Sequence, residues 1–383
     1  MEKQRLVNWT DSMALSSKLF VQTENYFLSA IAQNAGLNLT KYNYGLLPSN
    51  AEHGLYNGIR VSEHITGHIE VQLYSCRAIT VSGYQIDFDS AQAGAPLIKQ
   101  YSPADDKNIR NRDIRHWDVI LSVDPFNREP VGEPDPEEVP PRHPDCQSKY
   151  ALYVMPIDDI NTMDFGRHHL TIGRVRKDAD RYVVDTNYIP PSASMSSHPE
   201  LLDYYNKFSR QFLSIEQSSK AILAKVHNRS SKNDLGSHIQ IMCRDILRYI
   251  SQIYFKMRNT ALVAPPIEMV NYISSLAHVC YISMLFLENR QKEDMLKYFY
   301  EWSDVSPGSF EELIAGTLGI IYEHDKLRAM MVRSEHFMHT FADLWERMSK
   351  LEYIGQRKES IVVSERKQEK DNAGTVRTWS ITE

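Results

Sequence analysis

The spacing of apolar residues changes near the middle of the chain. Between about residues 56 and 190 apolar and polar side chains alternate, as at Ile69 and Val71, which is the period of a half-buried β-strand. Turn-forming pairs such as Asn57-Gly58 separate these runs, and no long helical pattern interrupts them. The alternation therefore predicts an antiparallel β-sandwich rather than a parallel α/β sheet.

From Ser197 onward apolar residues recur every three or four positions, which is the period of packed α-helices. Ser197 with Glu200, and Ser309 with Glu312, have the spacing of capping boxes and predict two helix starts. The apolar seams of the first and last long helices are formed by Leu201, Tyr205, Phe208, Phe212, Ile215, Ile222, Val226, Phe337, Phe341 and Leu344. The second half is therefore predicted to be a helical bundle.

Seams of this kind join helices either within one chain or between copies of it. Beside its seam the first long helix also carries Leu202, Leu213 and Leu223, and so wide a stripe suggests contacts on two sides. The predicted fold is α+β. An N-terminal antiparallel β-sandwich domain covers residues 1–195, an α-helical bundle covers 196–351, and a short tail or hairpin covers 352–383.

Two shorter features interrupt this scheme. Apolar residues at near-helical spacing between Ser17 and Gln33 predict one short helix before the β-domain. Seven prolines among acidic residues from Pro125 to Pro144 predict an exposed, extended loop, because proline lacks the N–H donor that a strand ladder needs. This loop is either solvated or a clamp over a partner.

Composition and charge narrow the classes of function. A formal charge of −6 over 383 residues lacks the basic footprint of a nucleic-acid binder. Four cysteines without metal-type spacing suit a reducing compartment. No apolar run precedes Trp9, so no secretory signal is predicted, and the most apolar window, Ile273 to Leu287, is shorter than the roughly 20 residues that span a bilayer. We expect a cytoplasmic protein with protein partners, not embedded in a membrane.

The histidines are the first candidates for chemistry. His64 and His68 lie in a stretch predicted as strand, where positions four apart are separated by about 13 Å, too far to share one zinc ion. Motifs such as GxSxG, GxxxxGK[ST] and HExxH are absent from the sequence. No enzyme activity, metal or cofactor is predicted. A hydrolase with a cleft in the β-domain and a helical module that binds small molecules in an apolar cavity remain alternatives.

Three segments resemble the TssK family of type VI secretion baseplate subunits, in the order in which that family has them. The opening segment matches the family at Trp9, Asp11, Met13, Leu15 and Phe20, while Ser12 stands where the family has glycine. The second segment is Tyr42–Leu46, an aromatic-Gly-Leu element. The third comprises Leu170–Val175 and then Asp185–Pro191, which ends in two prolines just before the first long helix.

The resemblance implies a trimeric structural adaptor with β-sandwich shoulders and a helical neck. Its implied partners are other copies of the chain and the baseplate wedge proteins TssF and TssG, with Trp9, Asp11, Met13, Leu15 and Phe20 as candidate partner-binding residues. The family's usual C-terminal head is not expected here, as in a divergent, Bacteroidetes-like member, so a membrane-complex component would meet the C-terminal end. The implied location is the inner face of the bacterial inner membrane. The alternative is a receptor-binding or tail adaptor subunit of a phage or another contractile injection particle.

Overall fold

The computed structural model describes residues 4–48, 56, 58–64, 67–102, 115–157, 168–179, 181–227 and 234–356. These fall into two compact units, of which the first comprises Met1–Tyr205, Asn259–Met269 and Tyr322–Met331. The second comprises Asn206–Arg258, Val270–Ile321 and Val332–Glu383. Strands in the N-terminal part and helices in the C-terminal part confirm the predicted α+β class. The boundary expected at residues 195/196 falls inside the first unit, whose first segment runs on to Tyr205.

The first unit contains the strands, all of which pair antiparallel in three sheets. They are β1 (Gly45–Leu46), β2 (Arg60–Glu63), β3 (Ile69–Leu73), β4 (Ser75–Ile79), β5 (Gln85–Asp89), β6 (Leu97–Tyr101), β7 (His116–Val131), β8 (Asp145–Pro156), β9 (His169–Asp178) and β10 (Arg181–Val184). The sheet orders are β1-β4-β5, β2-β3-β6 and β10-β9-β7-β8. Alternate residues such as Ile69, Val71 and Leu73 are fully buried in the shared core, as the period of two predicts.

Strand β7 corrects the prediction of a loop from Pro125. The strand continues through Pro125 to Val131 and pairs with β8, after an irregularity in register between Asp124 and Arg128. Its register with β9 ends at Ser122, and the Val123 N–H still donates to His168 O at 2.9 Å on that side, so beyond Val123 the described partner of β7 is β8. A missing N–H on the other edge therefore costs no ladder bond. Only residues 132–144 form the expected exposed connection.

The helices are α1 (Ser17–Gly36), α2 (Ser90–Ala93), α3 (Pro199–His227), α4 (Asp234–Asn259), α5 (Pro266–Leu285), α6 (Asn289–Trp302), α7 (Pro307–Leu318) and α8 (Leu327–Lys350). None of the helices among the described residues is long and apolar enough to cross a bilayer. Helix α1 confirms the short helix predicted before the β-domain.

Both predicted capping boxes are misplaced. Helix α3 begins after His198, whose ring Nδ1 accepts the N–H of Glu200 at 3.2 Å, while Ser197 belongs to a preceding 3₁₀ turn. Helix α7 begins after Ser306, whose side chain accepts the N–H of Ser309. Ring nitrogens can fill the role of a capping oxygen, but the usual cap residues do not signal it.

The second unit buries the predicted seams inside a single chain. An aromatic stack at its centre joins Phe337 to Phe341 and Phe341 to Trp345, with ring centroids 5.5 and 4.4 Å apart. The seam residues Phe208, Phe212, Ile215, Ile222, Phe337, Phe341 and Leu344 are buried in this unit, and Leu201 is buried in the first. Tyr205 and Val226 are half-buried. The buried members of the seam therefore pack within one chain.

Candidate interaction surfaces

The N-terminal arm, residues 4–16, presents apolar side chains to solvent. Trp9 is 47% exposed, Leu15 is 67% exposed and Phe20 at the start of α1 is 51% exposed. The rings of Trp9 and Phe20 lie 6.2 Å apart, so the structure brings these two predicted residues together. Asp11 is exposed and Met13 is half-buried. Exposed aromatic and aliphatic groups in one place are typical of a surface that another protein covers.

Ser12 occupies the left-handed backbone region, with φ at 64°. Glycine adopts this conformation without steric cost, whereas a residue with a Cβ does not. The position at which the TssK family has glycine thus keeps a turn geometry that suits glycine.

Two contacts among the described residues hold helix α1 to the β-domain. Arg128 of β7 donates to Asn25 Oδ1 at 2.9 Å and also contacts the carboxylate of Glu24. On the same side Gly83, with φ at 86°, comes so close that an added Cβ would lie 2.2 Å from the carbonyl oxygen of Ala32. Ala32 is the one buried residue of α1.

Several other side chains of α1 are apolar and exposed. Phe20, Val21, Phe27, Ile31 and, just beyond the helix end, Leu37 are between 41% and 82% exposed. Beside them lies a groove of about 380 Å³ whose lining includes Phe27, Leu28, Ile31, Pro125, Arg128 and Cys146.

The second and third resembling segments contact each other. Leu46 donates its N–H to the carbonyl oxygen of Pro191 at 2.8 Å, and Ala193 returns an N–H to Leu46 O at 2.8 Å. Gly45 has φ at 108°, and a Cβ at this position would lie 2.1 Å from the oxygen of Pro191. Only glycine fits there, which explains the glycine of the aromatic-Gly-Leu element.

Residues 322–331 contact both of these segments. No sequence pattern indicated this contact. Arg328 donates to the carbonyl oxygens of Thr186 and Asn187 at 2.9 and 3.1 Å and pairs with Glu200 at 2.9 Å. His324 Nε2 donates to the Tyr44 carbonyl at 2.9 Å. No short motif surrounds these residues, so their roles could not be identified from spacing alone.

A cluster of ionisable groups in the β-domain is the place to test the hydrolase alternative. Arg174 donates to Asp118 Oδ1 at 2.6 Å and stacks on Tyr188, with the guanidinium carbon 4.4 Å from the ring centroid. Burial raises the pKa of Asp118, and the Arg174 contact opposes that rise. His116 lies 3.9 Å from Asp185. Because Arg174 and Asp118 satisfy each other, the cluster has the character of a buried structural ion pair.

His64 and His68 do not lie on one strand, contrary to the prediction from the sequence. His64 and His68 flank the turn between β2 and β3, and the His64 N–H donates to His68 O at 2.9 Å. They therefore lie close together rather than about 13 Å apart along one strand. The His64 ring faces Glu70 at 3.3 Å. No group of three or more potential metal ligands occurs among the described residues.

The described residues thus define a two-part α+β chain, in which an antiparallel β unit comes first and a helical unit follows. No protein-family profile and no curated protein matches the sequence.

Solved structures do match the fold. A crystal structure of TssK aligns with 88% of this chain and 69% of its own, at a TM-score of 0.52 and 16% identity. TssK from the EAEC type VI secretion system, in complex with a nanobody, aligns with 86% of this chain and 99% of its own, at a TM-score of 0.50 and 11% identity. The chain has the fold of TssK, and the resemblance inferred from three segments is confirmed at the level of the fold.

Proposed function

We propose that this chain is a structural adaptor of a type VI secretion baseplate. In this role it forms a trimer, docks onto TssF-like and TssG-like wedge proteins, and connects the baseplate to a membrane-complex component. The observation that carries the proposal is the TssK fold, which extends over 88% of the chain. It acts in the cytoplasm, at the inner face of the inner membrane.

The N-terminal arm is the surface proposed for the wedge proteins. Trp9, Leu15 and Phe20 expose about half or more of their surface, and the arm carries Arg5 and Asp11 beside them. Burying large apolar groups of this kind is the main source of affinity in protein interfaces, whereas charged groups at the rim chiefly select the partner. The exposed apolar residues of the arm are therefore suited to bind the wedge proteins when the baseplate assembles.

The membrane-complex component is proposed to meet the C-terminal end of the bundle. The turn between α5 and α6 exposes Leu285 by 57% and Phe286 by 82%. At the end of α8, Lys225 donates to the carbonyl oxygens of Ser349 and Leu351 at 2.6 Å, which satisfies two acceptors of the helix terminus. The predicted tail or hairpin lies outside the described residues from position 357 onward.

Co-purification with neighbouring gene products tests this function. The full chain is expressed in its host with an affinity tag, and TssF-like and TssG-like proteins are expected in the eluate. A Trp9→Ser, Leu15→Ser double variant is expected to lose them, while Ile98→Ser, at a position 52% exposed on β6, retains them. Recovery of phage tail proteins instead would favour the contractile-particle alternative, and recovery of no partner would contradict both.

A further inference from the structure

Two large apolar side chains are exposed at one end of the helical unit. Ile241 on α4 is 50% exposed, and Phe286, directly after α5, is 82% exposed. Exposed apolar side chains that lie together usually mark a surface that something else covers. The first question is whether these two residues lie together.

The alignment of α4 and α5 places them side by side. The two helices are joined by residues 260–265 only, and so short a connection makes them antiparallel neighbours. Ser283 of α5 donates to Asp245 Oδ2 of α4 at 3.3 Å, which sets their register. Ile241 lies one helical turn before Asp245, and Phe286 lies about one turn after Ser283. We call the surface formed by Ile241 and Phe286 the α4–α5 patch.

The last described residues of the chain are fixed near this patch. Ile354 is buried, and its carbonyl oxygen would lie 3.7 Å from a Cβ added to Gly236 of α4. Gly355 donates its N–H to the Tyr298 hydroxyl of α6 at 3.0 Å. Gly236 precedes Ile241 by five residues, which is about 8 Å along the axis of α4. The chain therefore leaves the described part of the unit next to the patch.

The residues that follow contain a segment that suits the patch. Ile361, Val362 and Val363 are three consecutive apolar residues in an otherwise polar stretch. Ile361 comes six residues after Gly355, and six extended residues span up to about 20 Å. The patch lies within this reach, because one helix spacing adds only about 10 Å to the distance along α4.

Charge favours the same placement. Arg357 and Lys358 directly follow the point at which the chain is fixed. The exposed carboxylate of Asp234 lies at the start of α4, two residues before Gly236. Opposite charges at the rim of an apolar contact chiefly select its orientation, and here they would direct the chain along α4.

We propose that Ile361–Val363 pack on the α4–α5 patch of the same chain and cover the surface through which the membrane-complex component would bind. The component must then displace this segment, so the segment restrains the adaptor until the partner is present. This inference rests on the proposed function for the identity of the competing partner.

Cross-linking of the full chain tests the contact directly. Asn289→Cys, beside the patch, is combined with Val362→Cys and with Cys146→Ser, which removes the exposed native thiol. A short bis-maleimide is added, and isotope-labelled and unlabelled chains are mixed so that mass spectrometry separates links within one chain from links between copies. The control replaces Asn289→Cys by Tyr300→Cys, because Tyr300 is 54% exposed on α6 and lies close to the fixed point at Tyr298. The link from position 289 within one chain should exceed that from position 300 by about tenfold. Equal yields would overturn the proposal.

A second comparison tests whether the apolar side chains make the contact. In the cross-linking background, Ile361→Ser with Val363→Ser should lower the yield of the link between positions 289 and 362 by about tenfold. Val376→Ser, farther along the same segment, should leave the yield unchanged. A link that survives the double substitution would overturn the role of Ile361 and Val363.

Co-purification from the host separates this inference from the proposed function. A missing link with baseplate partners still recovered overturns the inference and leaves the adaptor in place. A link that forms while no baseplate partner is recovered overturns the adaptor and leaves the contact within the chain. Where both hold, Ile361→Ser with Val363→Ser is expected to increase the recovery of the membrane-complex component severalfold. Unchanged or lower recovery would overturn the competition between the segment and that component.

Discussion

The indole N–H of Trp345 donates a hydrogen bond to Ser219 Oγ at 3.0 Å inside the helical unit. Both side chains are fully buried. Ser219 interrupts an otherwise apolar stripe along α3, and this bond explains the interruption: a tryptophan placed in a core needs an acceptor for its N–H. The serine is thus part of the packing between α3 and α8.

Ser219→Ala is expected to destabilise the chain. The substitution leaves the Trp345 N–H buried without that acceptor, which costs about 1 to 3 kcal/mol, and the better helix propensity of alanine offsets only about 0.5 kcal/mol. Urea unfolding followed by tryptophan fluorescence measures the difference. Ser251→Ala is the control, because Ser251 is exposed on α4 and bonds only within its own helix. Equal effects of the two substitutions would contradict the role of Ser219.

The cap of α3 predicts a pH dependence of stability. His198 accepts the Glu200 N–H through Nδ1, which a protonated ring cannot do. Burial lowers the pKa of His198 to about 4, Glu200 opposes this shift, and Arg328 adds to it. The unfolded chain takes up the proton near pH 6.5 and the folded chain only near pH 4. Folding is therefore expected to lose up to about 3 kcal/mol as the pH falls across that window.

A His198→Asn variant isolates this contribution. Asparagine is a good cap and does not titrate, so the variant should match wild type near pH 7.5 and exceed it near pH 4.5. The measurement is the free energy of unfolding of both proteins across this range. Burial also lowers the pKa of His324, so a smaller slope of the same sign should persist in the variant. Parallel profiles for the two proteins would rule out His198 as the cause.

Periodicity was sufficient to predict the architecture, because burial on one face of a strand or helix imposes the spacing of apolar residues directly. It could not decide whether the seam at Phe208 and Phe337 joins helices of one chain or of several, since both arrangements need the same spacing. The strand through Pro125 was missed because the consequence of a missing N–H depends on whether another strand lies on that side. The contacts of Arg328 and His324 join segments far apart in sequence, and no local pattern encodes them.

Ser12→Gly is expected to stabilise the N-terminal arm. With φ at 64°, Ser12 carries a steric cost of about 1 to 2 kcal/mol that glycine avoids, while the greater freedom of glycine in the unfolded chain removes part of the gain. A net gain of about 0.5 to 1 kcal/mol should appear in hydrogen exchange of the arm or in thermal unfolding. Ser12→Ala should give no gain, because alanine keeps the Cβ. A gain of equal size for alanine would show that the left-handed backbone is not the reason.

A comparison of Gly45 with Gly58 separates the cost of a steric clash from the cost of a strained backbone. Gly45 and Gly58 both have positive φ, at 108° and 84°, but an added Cβ meets the Pro191 carbonyl at 2.1 Å in one case and nothing within 4 Å in the other. Gly58→Ala should therefore cost only the strain of about 1 to 2 kcal/mol. Gly45→Ala should cost about 3 kcal/mol or more, because it also breaks the bonds between Leu46, Pro191 and Ala193. Thermal unfolding of the two variants under identical conditions checks this. Similar melting temperatures would mean that the chain can shift Pro191 at little cost, and the glycine of the aromatic-Gly-Leu element would then need another explanation.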